Sequence, residues 1–140
     1  MVIMKPAENY SKGELDALIR ELKVGDRAAE FECINFVLGE SFGVWHGRAR
    51  AKICRNLKNH APDATLSARL VEKIIWRLAN GEFSEQFKDQ LTMAIRFAPD
   101  RMLQVATLLL GDKKDYVRRY ANWVCNVIAR ADEGHRSRLT

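Results

Sequence analysis

Cationic and aromatic side chains with helical spacing are the residues of this chain best suited to bind a ligand. Trp45 is followed by Arg48, Lys52 and Arg55 at intervals of three, four and three residues. On an α-helix this spacing aligns the four side chains in one stripe. Arginine and lysine neutralise phosphates, and an indole stacks on an unpaired base. The stripe therefore predicts a nucleic-acid surface, although it suits an acidic protein equally well.

A second stripe of the same kind lies near the end of the chain and consists of Arg119, Trp123, Asn126 and Arg130. Further cations and a tryptophan flank the predicted core face of another helix: Arg69, Lys73, Trp76 and Arg77. The net charge is only +5, because 18 acidic residues are interleaved with 23 basic ones. The alternative interpretation is that neighbouring helices cover the tryptophans while the arginines are solvated or paired.

No pattern typical of catalysis or metal binding is present. A metal site needs three or four ligands at regular spacing, and the histidines and cysteines of this chain are widely scattered. We interpret the histidines as solvated surface residues and the cysteines as small buried hydrophobic residues: His46, His60, His135, Cys33, Cys54 and Cys125. We therefore predict a protein that is not an enzyme and uses no cofactor or metal ion.

The chain shows no sign of membrane insertion or export. No apolar run approaches the roughly 20 residues that a membrane span requires, and Met1–Pro6 lacks the apolar core of a signal peptide. Three unpatterned cysteines fit a reducing compartment better than a disulfide framework. We expect a cytoplasmic protein.

Apolar residues that recur at three and four positions predict helices nearly everywhere and strands nowhere. Ser11 and Glu14 form a capping-box pattern, and Asp26 can cap a second helix. The later predicted helices run from about Val44 to Lys58, from after Asp63 to Asn80, from Ser84 to before Pro99, from Pro99 or Asp100 to Leu110, and from about Asp115 to Ala131, with a frayed tail at residues 132–140.

The sixth predicted helix is apolar on almost all sides. A helix that is apolar all round is normally buried in the core. We therefore expect it to be the most buried element, with Leu108 inaccessible to solvent.

The turn before the seventh helix carries the clearest resemblance to a known family. Leu110, Gly111 and Asp112 are followed by Val117 and Arg118, with Ala121 three residues further on. This segment resembles the HEAT-like repeats of the armadillo type. The resemblance implies that Asp112 and Arg118 bond to the turn or to a neighbouring repeat.

The third, fifth and seventh helices can be overlaid if Gly47, Phe87 and Val117 are treated as equivalent positions. Together with the HEAT-like resemblance, this overlay implies an all-α, right-handed helical array of about seven helices. We expect one helical-repeat-like domain over residues 1–140.

The segment Arg118–Asn122 is also similar to the DNA alkylation repeat proteins, which include glycosylases. The spacing is one residue shorter than in that family, and no aspartate adjoins Trp45, Trp76 or Trp123 as in its catalytic segment. A glycosylase needs a carboxylate to stabilise the cationic sugar. The similarity therefore does not imply glycosylase activity.

Together these observations predict a non-catalytic binding or scaffold module whose helical surface binds a protein partner. The terminal repeats leave apolar faces to cover, so a homodimer is a further expectation. The alternative is a nucleic-acid-binding module, and the candidate binding residues for a macromolecule are Trp45, Arg48, Lys52, Arg55, Arg119, Trp123 and Arg130.

Overall fold

Seven α-helices make up most of the chain in this computed structural model, which describes residues 5–139 and the side chains of residues 5–134. These residues contain no β-strand, so the all-α prediction is confirmed. After a 3-10 turn at Ala7–Asn9, the helices are α1 (Lys12–Lys23), α2 (Arg27–Leu38), α3 (Val44–Asn59), α4 (Ala64–Asn80), α5 (Phe87–Phe97), α6 (Pro99–Leu109) and α7 (Asp115–Leu139). None of these helices has the length and apolar character needed to cross a bilayer.

Side-chain caps begin three of the helices. The Ser11 hydroxyl accepts a hydrogen bond from the Glu14 amide, and the Glu14 carboxylate accepts one from the Ser11 amide, both at 3.1 Å. Asp26 and Asp63 each accept a bond from the third amide of their helix at 2.8 Å. These contacts satisfy amides that have no partner inside the helix. At the other end of α4, Gly81 takes the left-handed conformation, with φ +70°, that glycine adopts without strain.

The start of α5 differs from the prediction. The helix begins at Phe87 and not near Ser84, and Gln86 precedes it with a left-handed φ of 58°. The Ser84 hydroxyl accepts a hydrogen bond from Gln90 Nε2 at 3.1 Å. Ser84 is thus used in a side-chain contact and does not cap the helix.

The helices lie in two layers with the hydrophobic core between them. One layer contains α1, α3, α5 and α7, each in contact with the next, and the other contains α2, α4 and α6. Gly47 allows α3 to approach the segment before α5, because a Cβ atom at this position would lie 2.8 Å from the Glu85 amide nitrogen. Since α3 and α7 both belong to the layer of odd-numbered helices, both predicted stripes lie in this layer.

The predicted burial of α6 is wrong. Only Met102, Val105 and Ala106 of this helix are buried, and Leu108 is 76% exposed. These buried positions lie on one side of the helix, the side on which α4, α5 and α7 pack. The apolar residues on the opposite side face solvent because no described element covers them.

The turn before α7 has the contacts implied by the HEAT-like resemblance. Arg118 Nη1 donates to the carbonyl oxygens of Asp112 at 2.7 Å and Lys113 at 3.2 Å. The Asp112 carboxylate accepts a bond from the Lys114 amide at 2.8 Å. Beyond this turn α7 continues through Leu139, although we predicted that it would end near Ala131 and fray. Residues 1–4 and Thr140, the end of the predicted tail, lie outside the described residues.

Truncation of two leucines should separate the core from the exposed side of α6. Leu70→Ala removes a fully buried side chain of α4 and should lower the free energy of unfolding by about 2 to 5 kcal/mol. Leu108→Ala should change it by less than about 0.5 kcal/mol, as is usual at the surface. Urea denaturation measures both values, and a large loss for Leu108→Ala would contradict the described position of α6.

Candidate functional site

The stripe predicted on α3 is exposed to solvent. Trp45 is 50% exposed, and Arg48, Lys52 and Arg55 are also exposed. The opposite side of α3 enters the core, so the helix presents the stripe outward. For these four residues the alternative that a neighbouring helix covers the stripe does not hold.

The stripe lines a groove between α1 and α3. Two adjoining depressions, which share Asp16, Ile19 and Lys52, make up this groove. The positively charged side chains that line this basic groove are Lys12, Arg20 and Lys23 from α1 and Arg48, Lys52 and Arg55 from α3.

The basic groove carries a large excess of positive charge. Asp16 is the only carboxylate that lines the described groove. Arg55 Nη1 forms an ion pair with Asp89 Oδ2 of α5 at 2.8 Å. The other five cations form no ion pair with a described residue. Their charges are thus available to an anionic ligand.

Trp45 lies at one end of the basic groove between two cations. Lys12 Nζ is 4.0 Å from the centre of the indole ring, and Arg48 Cζ is 5.4 Å from it. Attraction between a cation and the face of an aromatic ring contributes about 0.5 to 1 kcal/mol at exposed sites. These contacts favour one orientation of the half-exposed indole.

The stripe predicted on α7 is less accessible to a ligand than the stripe on α3. Arg119 Nη2 lies 2.7 Å from Asp115 Oδ2, and this hydrogen bond lowers the pKa of Asp115. Trp123 is half-buried, with Lys88 Nζ of α5 at 5.2 Å from its ring centre. Arg130 is exposed two turns further along α7. The α7 stripe is therefore partly covered and partly neutralised.

The two stripes belong to one layer but do not form one unbroken cationic surface. Helix α5 lies between α3 and α7 and contributes Lys88 next to Trp123 and Asp89 next to Arg55. The Asp89 carboxylate neutralises the Arg55 end of the α3 stripe. The basic groove is thus the stronger candidate site of the two.

Two buried arginines were not recognised in the sequence. Arg50 is 2% exposed, and Arg77, which we expected only to flank the core face of α4, is 3% exposed. Arg50 Nη2 donates to the Gly39 carbonyl at 2.8 Å, and Arg77 Nη2 donates to the carbonyls of Val37 at 2.6 Å and Gly39 at 2.9 Å. We call these two residues and their carbonyl partners the arginine clasp.

The arginine clasp satisfies backbone groups at the end of α2. A helix C-terminus leaves carbonyl groups without partners and carries partial negative charge, which favours a nearby cation. Burial, followed by the like charge of Arg77, lowers the pKa of Arg50 to about 10. Arg50 is still protonated at neutral pH. The helical period of the sequence could have indicated that Arg50 is buried, because this residue falls between Gly47 and Cys54 on the buried face of α3.

His46 does not fit the prediction of a solvated surface histidine. Its Nδ1 lies 2.6 Å from the Ser41 hydroxyl and its Nε2 lies 2.8 Å from the Tyr10 carbonyl oxygen. The ring is partly buried and joins the segment before α1 to the α2–α3 connection. His60 is exposed as predicted, and the side chain of His135 lies outside the described part of the structure.

Comparison of the chain with family models, with curated proteins and with solved structures finds no match.

Alkylation of the cysteines should distinguish buried from accessible thiols. Cys33 and Cys54 are buried, and burial raises the pKa of each thiol to about 12, whereas Cys125 is only partly buried. Since the thiolate is the nucleophile, iodoacetamide at about pH 8 should label Cys125 first in the native protein. Mass spectrometry of the labelled peptides measures this order. All three should react at similar rates in urea, and native labelling of Cys54 ahead of Cys125 would contradict the described packing.

Proposed function

We propose that the protein is a non-catalytic module that binds single-stranded nucleic acid through the basic groove. The observation that carries this proposal is the half-exposed Trp45 at the end of a channel with five unpaired cations. Because of this observation, we rank the nucleic-acid alternative above the protein partner that the sequence favoured first.

The chemistry of the basic groove suits an unpaired strand. The cations along α1 and α3 neutralise successive phosphates. The Trp45 indole stacks on a base that takes the place of the Lys12 ammonium over the ring. Base–aromatic stacking contributes about 1 to 3 kcal/mol per base and tolerates any sequence. Bases in a duplex already stack on each other, so a duplex offers this indole no free base face. We therefore expect a preference for single strands with little sequence dependence.

We also infer that the two layers form a short right-handed HEAT-like array. The overlay of Gly47, Phe87 and Val117 supports this inference, because these residues are all buried and lie on α3, α5 and α7 of one layer. The Asp112 and Arg118 contacts around the turn before α7 agree with it. In such arrays extended surfaces serve as binding sites.

A protein partner is the second candidate. Phe42 is 85% exposed, and Val44 and Trp45 beside it are about half exposed. Adjacent exposed apolar side chains are typical of protein–protein contact sites. If this candidate is correct, Phe42→Ser should abolish capture of the partner while the charge reversals described next have little effect.

Charge reversal in the basic groove should strongly weaken binding to a fluorescent single-stranded oligonucleotide. With five phosphate contacts, the logarithm of affinity should fall with the logarithm of salt concentration with a slope of about −3.5, since each contact contributes about −0.7. Arg48→Glu with Lys52→Glu should weaken binding at least about 100-fold at low salt. The slope should become shallower, about −2, because two phosphate contacts are lost. Fluorescence anisotropy across a salt series measures both quantities.

The matched control for this experiment is Arg27→Glu with Arg69→Glu, which makes the same change of net charge at exposed positions of α2 and α4. This control should keep nearly wild-type affinity. Both double variants should keep a thermal midpoint near that of the wild type, because an exposed charge contributes less than about 1 kcal/mol to folding. Equal losses in the two variants would show that net charge, and not the basic groove, causes binding.

Replacement of single tryptophans should test the stacking contact. Trp45→Ala should weaken single-strand binding by about 1 to 3 kcal/mol, the usual value for a lost base–aromatic contact. Trp76→Ala is the matched control, because Trp76 is 47% exposed on α4 and has Lys73 Nζ at 4.7 Å from its ring centre. Anisotropy should show no loss for this variant. Unchanged binding by Trp45→Ala would refute the stacking role.

A further inference from the structure

A second depression in the layer of odd-numbered helices lies between α5 and α7, and we call it the α7 depression. Its volume is about 430 Å³, within the range of small-molecule sites. Two aromatic side chains, two asparagines and two cations line it: Tyr120, Trp123, Asn122, Asn126, Lys88 and Arg119. None of these described lining residues is a carboxylate. The lining therefore suits a ligand that combines a flat ring with negative charge.

The Trp123 indole is held on one side and accessible on the other. It packs against the hydrophobic core and is half-buried, while its remaining surface lines the α7 depression. Lys88 Nζ lies over the ring, 5.2 Å from its centre. Stacking of a base is usually stronger than an exposed contact between a cation and a ring. A base can therefore take the place of the Lys88 ammonium, which is then available to a phosphate.

The start of α5 borders both the basic groove and the α7 depression. Gln86 lines the basic groove together with Trp45, and Lys88, two residues later, lines the α7 depression. Asp89 in the same turn is paired with Arg55 at 2.8 Å, so its charge is already neutralised. Lys88 forms no ion pair with a described residue. This turn therefore offers an available cation to a phosphate that passes from one site to the other.

Two further carboxylates lie close to this crossing in the sequence or in space. Asp115 is paired with Arg119 at 2.7 Å, so its charge is compensated. Glu85 directly precedes the turn, is exposed, and forms no ion pair with a described residue. Its charge repels a phosphate. Lys88 is the cation that offsets this repulsion at the crossing.

We infer that one nucleic-acid strand occupies both sites, with one base on Trp45, another on Trp123 and a phosphate between them at Lys88. This inference rests on the function proposed above and adds to it a second stacking subsite. The amide groups of Asn122 and Asn126 line the same depression and provide donors and acceptors for the edge of the base. A strand that fills only the basic groove makes none of these contacts.

Oligothymidylates of six and twelve nucleotides test the inference on the intact chain. The hexanucleotide has five phosphates, enough for the five unpaired cations of the basic groove, and leaves none for Lys88. The dodecanucleotide offers a six-nucleotide site seven registers, which raises affinity about sevenfold, and a second stacked base adds at least about fivefold. We therefore expect the dodecanucleotide to bind at least about 35-fold more tightly at low salt, measured by fluorescence anisotropy.

Truncation of Trp123 should remove the part of this gain that is due to stacking. Trp123→Ala should lower the gain to about sevenfold, the value set by the number of registers. Trp76→Ala, on α4 in the other layer, is the matched control and should keep the full gain. Trp123 packs against the core, so its truncation also lowers stability. Unchanged affinity for the hexanucleotide shows that the variant is folded.

Lys88→Gln tests the crossing without removing a buried side chain. It should make the salt slope for the dodecanucleotide shallower by about 0.7, the value for one phosphate contact, and leave the slope for the hexanucleotide unchanged. Arg69→Gln, at an exposed position of α4, makes the same change of charge and should alter neither slope.

Failure of the second subsite and failure of the proposed function give different results. If the wild type binds neither oligonucleotide at low salt, the proposed function is wrong, and the second subsite with it. If it binds both with no gain beyond the number of registers, or if Trp123→Ala keeps the full gain, the second subsite alone is wrong. Should Trp123→Ala not bind the hexanucleotide, an unchanged dodecanucleotide slope in Lys88→Gln overturns the inference.

Discussion

Two buried guanidinium groups hold the end of α2 against the helices that follow it. Arg50 comes from α3 and Arg77 from α4, yet both donate to the Gly39 carbonyl. Arg77 also reaches Gln90 of α5 at 3.0 Å. The Gly39 carbonyl would keep one donor if either arginine were lost, but loss of Arg77 would remove the donor to the Val37 carbonyl and loss of Arg50 the donor to the Ser41 carbonyl. An unsatisfied buried group costs about 1 to 3 kcal/mol. The arginine clasp therefore joins four helices through directional bonds, in addition to the apolar packing around it.

The exposed groove and the buried arginine contact lie on different sides of α3. Arg50 faces inward on α3, while Arg48 and Lys52, two positions to either side, face outward into the basic groove. Positions two apart on a helix differ in direction by about 200°. Arg50 shares the buried side of α3 with Ile53, Cys54 and Leu57, so burial of this side leaves the stripe facing the basic groove. Arg48 and Arg50 of the same helix thus have different roles. Arg48 lines the basic groove, whereas Arg50 bonds to backbone carbonyl groups in the interior.

Local signals in the sequence predicted where helices begin better than they predicted which helices pack against one another. The caps predicted at Ser11 and Asp26 use contacts within one turn of the helix, and both are present. Burial of Leu108 could not be predicted in this way, because it depends on which helices cover α6. The environment of Arg50 was missed for a similar reason. Its carbonyl partners, Gly39 and Ser41, lie in the connection between α2 and α3, outside the helix that contains Arg50. The helical period could still have placed it on the buried face.

The distribution of charge matters more here than the net charge of +5. Cations predominate in the basic groove, whereas Glu40, Glu82 and Glu85 line a cavity that includes Val44 at the start of α3. At physiological ionic strength, interactions between exposed charges are screened over about 8 Å. Glu85 directly precedes Gln86, which lines the groove, so the acidic and basic regions still influence each other at this end.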